Sequence, residues 1–172
     1  MLIWIISDVH ENLWNLHKAI QVFNEKKIEL LLHCGDWDMP FTLKMYRQLN
    51  CPIRWVLGNA DSDIQRFYYQ MQNYYSDIDV EITQTFLDLE LDGKRVGIFH
   101  WDDENLNKLI IETQKFDVFC IGHTHKPKIE KIGKTLVINP GTLVDMSYID
   151  DNTPVTVALY DTETDRAKII EL

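Results

Sequence analysis

Two histidines two residues apart, in Gly122-His123-Thr124-His125, follow the apolar run Asp117-Val118-Phe119-Cys120. Alternate residues of a strand share a face, so an extended segment would lean both rings the same way as it runs out into a loop. Each neutral imidazole offers one nitrogen lone pair and no charge, a donor that suits a borderline divalent cation. Alone the pair does not establish a metal site, because His-x-His also arises by chance. Other strand-like runs end in donors as well. Asp8 and His10 follow 2–6, Asp36 follows 28–32, Asn59 follows 53–57 and His100 follows 94–99. The set is two carboxylates, one amide oxygen and four of the six imidazoles. His17, in a helical pattern, and His33, inside a strand, stand apart and read as structural. Seven mixed nitrogen and oxygen donors without a thiolate exceed one tetrahedral zinc. They suffice for two ions if a carboxylate bridges, and cations ~3.5–4 Å apart can hold the attacking and leaving oxygens of an in-line displacement at phosphorus. Two divalent ions, Asp8, Asp36 and a bridging hydroxide sum to about +1, a positive pit for a small phosphate ester.

The elements that must carry these donors follow from periodicity. Leu2 to Ile6 reads as a buried strand, and Leu13, Leu16, Ile20 and Phe23 mark an amphipathic helix starting near Asn12. A second helix is expected within 40–49, with Pro40 in its first turn, and a third over 62–75, capped by Asp61 or Ser62. The runs 86–91 and 94–99 flank Asp92-Gly93 and read as a tight hairpin. A short helix over 105–114 feeds the strand before His123, and 128–132, 135–139, 154–160 and 166–172 are consecutive strands. Strand and helix alternate in the first half and hairpins fill the second, which implies a mixed sheet or two stacked sheets with helices outside. In open α/β sheets ligands gather beyond the carboxyl ends of strands, where every donor above falls.

With 172 residues, 1–172 is expected to form a single domain. The formal charge of −10 opposes a surface that grips long nucleic acid, which needs clustered Lys and Arg. No apolar run reaches the roughly 20 residues of a membrane span. The first residues lack a basic leader and are broken by Ser7-Asp8, unlike a signal peptide. Cys34, Cys51 and Cys120 have no Cys-x-x-Cys spacing and fit reduced thiols of a cytoplasmic protein.

Asp8-Val9-His10, Gly35-Asp36, Gly58-Asn59-Ala60-Asp61, His100, Gly122-His123-Thr124-His125 and Asn139-Pro140-Gly141-Thr142 resemble, in order and spacing, the calcineurin-like metallophosphoesterases, most closely the small bacterial and archaeal phosphodiesterases. The resemblance spans almost the whole chain. It implies a four-layer α/β/β/α sandwich of two mixed sheets with flanking helices. It implies one metal held by Asp8, His10, Asp36 and His125, a second held by Asp36, Asn59, His100 and His123, and Asp36 as the bridge. The reaction implied is phosphodiester or phosphomonoester hydrolysis by the metal-bridging hydroxide, with Asp36, Asn59 and His123 as the catalytic group. Manganese is the foremost metal, with nickel, magnesium, iron or zinc as alternatives. Small relatives often form dimers or tetramers, so a homo-oligomer is expected.

The chain departs from the wider family at Ala60, where larger relatives carry a histidine thought to protonate the leaving group; the small branch lacks it too. Asp61 is expected to orient a ligand or to cap the next helix. Trp37 and Trp101 are candidates for the substrate rim or for packing under loops, and Asp102 and Asp103 for a solvated turn. A non-catalytic protein-interaction scaffold, as the retromer subunit resembling this family, and a nuclease are the rival readings. Retention of all seven donor positions favours an enzyme.

Overall fold

The computed structural model describes residues 1–100, 103–145 and 153–172. In chain order the elements are β1 (Leu2–Ile6), α1 (Leu13–Glu25), β2 (Leu30–His33), a 3₁₀ turn (Pro40–Thr42) running into α2 (Leu43–Tyr46), β3 (Ile53–Val56), α3 (Ile64–Tyr74), β4 (Val80–Thr83), β5 (Phe86–Leu91), β6 (Lys94–Phe99), α4 (Glu104–Glu112), β7 (Val118–Cys120), β8 (Lys128–Ile132), β9 (Thr135–Asn139), β10 (Thr156–Asp161) and β11 (Arg166–Glu171). One sheet has the order β11-β10-β1-β2-β3-β4, parallel from β1 to β4. The other has the order β5-β6-β7-β9-β8, parallel through β6, β7 and β9. Antiparallel strands close the remaining edges, so both sheets are mixed.

Strand alternation builds the layers. Ile3 and Ile5 of β1, Leu30 and Leu32 of β2, Val118 and Cys120 of β7 and Leu136 and Ile138 of β9 meet between the sheets. The intervening Trp4, Ile6 and Leu31 face outward against Leu16, Ala19, Ile20 and Phe23 of α1. On the other sheet Phe119, Ile121 and Val137 face Ile111 of α4. A strand buried on both faces cannot alternate apolar with polar, which is why these runs read as continuously apolar. The arrangement is the expected α/β sandwich with helices on both outer faces.

Several local expectations are corrected. β2 begins at Leu30 rather than Ile28, because the Ile28 N–H closes on Phe23 O after α1 and the ladder to β1 starts at Leu30 opposite Ile3. The helix expected over 40–49 is a 3₁₀ turn and a single α turn. α3 is capped neither by Asp61 nor by Ser62 but by Asp63, whose carboxylate accepts the Arg66 N–H. Asp103 is no solvated turn residue; it caps α4, accepting from the Asn105 and Leu106 N–H groups at 3.0 Å. β4 has no counterpart in the sequence reading. Trp37 lies in no substrate rim: its ring is 0% exposed and packs on Trp55 and Phe67, while Trp101 and Asp102 fall outside the described residues. Cys34, Cys51 and Cys120 are free thiols. Among the described residues no helix is long and apolar enough to cross a membrane.

Candidate metal centre

β1, β2 and β3 are neighbouring parallel strands, and so are β6 and β7, so their carboxyl ends open toward one side of each sheet. Backbone bonds tie the emerging loops together. The carbonyl of Asp36 accepts N–H groups of Val9 and His10 at 2.7 and 3.1 Å, and Gly122 N–H reaches His100 O at 3.0 Å. Across the two sheets the His123 N–H donates to Asp8 Oδ2 at 2.9 Å.

Six of the expected donors form two triads, Asp8 with His10 and His125, and Asp36 with His100 and His123. In the first, His125 Nε2 is 3.2 Å from both His10 Nε2 and Asp8 Oδ1, and His10 Nε2 is 3.8 Å from Asp8 Oδ1. In the second, His100 Nε2 is 3.1 Å from Asp36 Oδ2. The seventh donor, Asn59, joins this group: its Oδ1 lies 3.1 Å from His100 Nε2 and 2.8 Å from His123 Nδ1. Asp36 Oδ2 is also 3.7 Å from His10 Nε2, so one oxygen faces both groups. Its other oxygen accepts the Ala60 N–H at 2.8 Å.

The tautomers explain why these atoms fit a cation. His100 Nδ1 donates to Cys34 O at 2.7 Å, which leaves the Nε2 lone pair facing the oxygens of Asp36 and Asn59. His10 Nδ1 sits 3.1 Å from both oxygens of Asp38, which turns its Nε2 lone pair toward Asp8 and His125. Metal bonds of about 2.0–2.2 Å imply ligand–ligand edges of roughly 3–3.5 Å, and the donor distances here, 2.8 to 3.8 Å, bracket that range. Asp8 Oδ1 is buried and faces the Nε2 atoms of His10 and His125, and Asp8 and Asp36 are 0% and 2% exposed. Two buried carboxylates demand compensating positive charge. In the protein by itself protons provide it. Burial would lower the His10 pKa, but hydrogen bonding to Asp8 and the charges of Asp38 and Asp36 outweigh it and raise it to about 9. His100 is raised too, with Asp36 and Asp8 overcoming burial. Asp8, which burial would raise, is held well below the usual carboxylate range by bonds to His10 and His125. Asn59 and His123 are exposed, so the second group opens to solvent.

The backbone corrects one expectation. β7 stops at Cys120, and His123 and His125 are not extended; both have left-handed φ, of 65° and 59°. Asp8, His10 and Asp36 share this conformation, with φ of 52°, 41° and 57°. Asp and His tolerate it better than most residues. It curls the turn so that His123 reaches Asn59 while His125 reaches Asp8. Glycine is needed where ligand loops touch: a Cβ on Gly58 would meet Asp36 Oδ1, and one on Gly122 would meet Ser7 Oγ.

Sequence reasoning missed Asp38, whose only signal is an acid two residues after Asp36. Asp61 accepts four backbone N–H groups, from Asp36, Trp37, Asp38 and Gly58 at 2.7 to 3.2 Å, and so holds the loop that carries Asp36. Burial pushes its carboxyl up to about 6 against the pull of those N–H groups. His33, fully buried and stacked on Trp55, accepts the Gly35 N–H at 3.1 Å and bonds Tyr46 Oη at 2.9 Å. His17 is exposed and pairs with Gln21.

Residues 1–165 match the model of the calcineurin-like phosphoesterase superfamily domain. The chain belongs to this superfamily and is by class a hydrolase of phosphate esters. It is 34% identical over 142 residues to Phosphodiesterase MJ0936 of Methanocaldococcus jannaschii, covering 82% of this chain and 83% of that protein. A solved structure described as a novel archaeal phosphodiesterase superposes with a TM-score of 0.88 at 31% identity, covering 100% of both chains. The phosphoesterase Yfce from E. coli, at 19% identity and a TM-score of 0.66 over 99% of both chains, shares the fold.

Proposed function

We propose that this protein is a phosphodiesterase acting on small phosphate esters with two divalent cations, one in each donor group. The observation that carries the reading is Asp36 Oδ2, a buried carboxylate oxygen 3.1 Å from His100 Nε2 and 3.7 Å from His10 Nε2, the position a bridging ligand needs. When bound, two divalent cations supply Lewis acidity toward phosphoryl oxygens and make a water acidic enough to be a nucleophile near neutral pH.

The chain's own residues do the rest. Asp8, His10 and His125 would hold one cation and Asn59, His100 and His123 the other, with Asp36 common to both. Asp38 and the Cys34 carbonyl keep His10 and His100 in the tautomers that offer Nε2. His123 and Asn59 stand at the open side, where a phosphate ester arrives. Ala60 offers no proton to a departing alkoxide, so esters whose leaving groups need no protonation are the favoured substrates. Retention of every donor separates this reading from that of a binding scaffold.

Protein stripped with a chelator and refilled with manganese, nickel or magnesium should hydrolyse bis(p-nitrophenyl) phosphate. Asp36→Ala should abolish paired binding and turnover, and His17→Ala should leave both intact. Refilled protein that takes up no ions and turns over no ester refutes the proposal.

A further inference from the structure

The turn that leaves β9, residues 139–143, touches both ligand-bearing regions. Asn139, 1% exposed, donates its amide to Gly122 O at 2.9 Å and to Thr124 Oγ1 at 3.0 Å, and its Oδ1 accepts the Gly141 N–H at 2.9 Å. Gly122 and Thr124 flank His123. Thr142, 0% exposed, donates its hydroxyl to Asp8 O at 2.7 Å, and the Leu143 N–H reaches the same carbonyl at 3.1 Å. The Asn15 amide on α1 braces the turn in its place through Leu143 O at 2.8 Å.

These contacts fall on residues that need them. Left-handed backbone is costly for a non-glycine residue and persists only where the surroundings over-determine it. Asp8 is fixed on both sides of its left-handed φ, its N–H by Gly35 O at 3.0 Å and its carbonyl by Thr142 and Leu143. Asp36 is held differently, by the four N–H bonds that its loop and Gly58 make to Asp61, and among the described residues no hydrogen bond links it to the turn after β9. Asp8 and Asp36 therefore lean on different side chains, Thr142 for the one and Asp61 for the other, although backbone bonds join their loops.

We propose that residues 139–143 are a positioning element for the metal centre, with Thr142 setting Asp8 for the first group alone and Asn139 setting the histidine turn that serves both. The inference rests on the reading of the two groups as cation sites.

Its test is uptake of manganese(II), followed by calorimetry and electron paramagnetic resonance on full-length protein. The parent should bind two ions, and Asp8→Asn identifies the step that belongs to the first group. Thr142→Val, which removes the hydroxyl and keeps the shape, should weaken that step by about ten- to a hundred-fold and leave the other unchanged, and Thr142→Ser should restore it. Asn139→Asp, which has no N–H to donate, should weaken both steps. General loosening would move both steps in Thr142→Val as well, so the ratio of the two affinities in that variant separates positioning from loss of stability. Should Thr142→Val fail to fold, Asn15→Ala, which removes only the brace on the turn, should shift the first step in the same direction. A parent that binds two ions, with Thr142→Val or its substitute weakening both steps equally or neither, overturns this inference alone. A parent that binds none overturns the reading of the donors as cation sites and the inference with it.

Discussion

His33 makes the acid stability of this protein calculable. Its ring is fully buried, stacks on Trp55 at 4.2 Å and is neutral, because burial lowers its pKa to about 3 from an ordinary 6.5. Since the folded pKa lies below the unfolded one, the unfolded chain binds the extra proton first as pH falls. The stability gained from a neutral His33 is whole above pH 6.5 and is lost progressively down to about pH 3. Each pH unit in that window is worth up to about 1.4 kcal/mol. Between pH 7 and 4.5 the parent should therefore lose about 2.5 kcal/mol through this residue. His33→Phe retains an aromatic ring over Trp55 and removes the titration. It strips the Gly35 N–H of its acceptor and Tyr46 Oη of its partner, at a cost of about 1–3 kcal/mol each at neutral pH. The difference between parent and variant should be about 2–6 kcal/mol at pH 7 and shrink by about 2.5 kcal/mol at pH 4.5. Urea unfolding followed by tryptophan fluorescence in chelator measures it, and the other titrating groups cancel between the two proteins. A difference that stays constant over this range would mean that folded His33 accepts the proton, and the reasoning would fail.

Three further outcomes follow from the site. Gly58→Ala places a methyl against Asp36 Oδ1, so it should lower turnover by at least about a hundred-fold with loss of paired ions, seen by elemental analysis. In the metal-free protein His10 keeps its proton up to about pH 9, so metal uptake must release it. Apparent affinity should then rise with pH toward 9, by up to about ten-fold per unit, and calorimetry in buffers of different ionisation enthalpy should count a released proton; uptake without release sinks this account. Asp61→Ala leaves four backbone N–H groups without an acceptor, which should cost about 2–4 kcal/mol in thermal unfolding and weaken metal uptake around Asp36 more than around Asp8.

The donors were legible because their chemistry and their place after apolar runs are both local facts. The doubly covered strands gave unbroken apolar stretches, and each ended where a polar ligand type began. What lay hidden depends on the sign of φ and on contacts distant in sequence. Alternation predicts direction only while the chain stays extended. At Asp36 the left-handed backbone breaks that parity, so Trp37, adjacent in sequence to a carboxylate that faces the donor groups, turns instead into the core against Phe67. The same break puts His123 and His125 in different groups. β4 escaped because Val80–Thr83 is short, half-buried and paired on one side only, which leaves little apolar signal. Asp61 was ambiguous for a physical reason as well: an acid before a helix reads as a cap, yet the N–H groups it accepts belong to the loop carrying Asp36 and to Gly58, and Asp63 caps α3. Residue type thus identifies what can bind a cation, whereas the loops that aim those residues are specified by partners up to 134 positions away, as Thr142 is from Asp8.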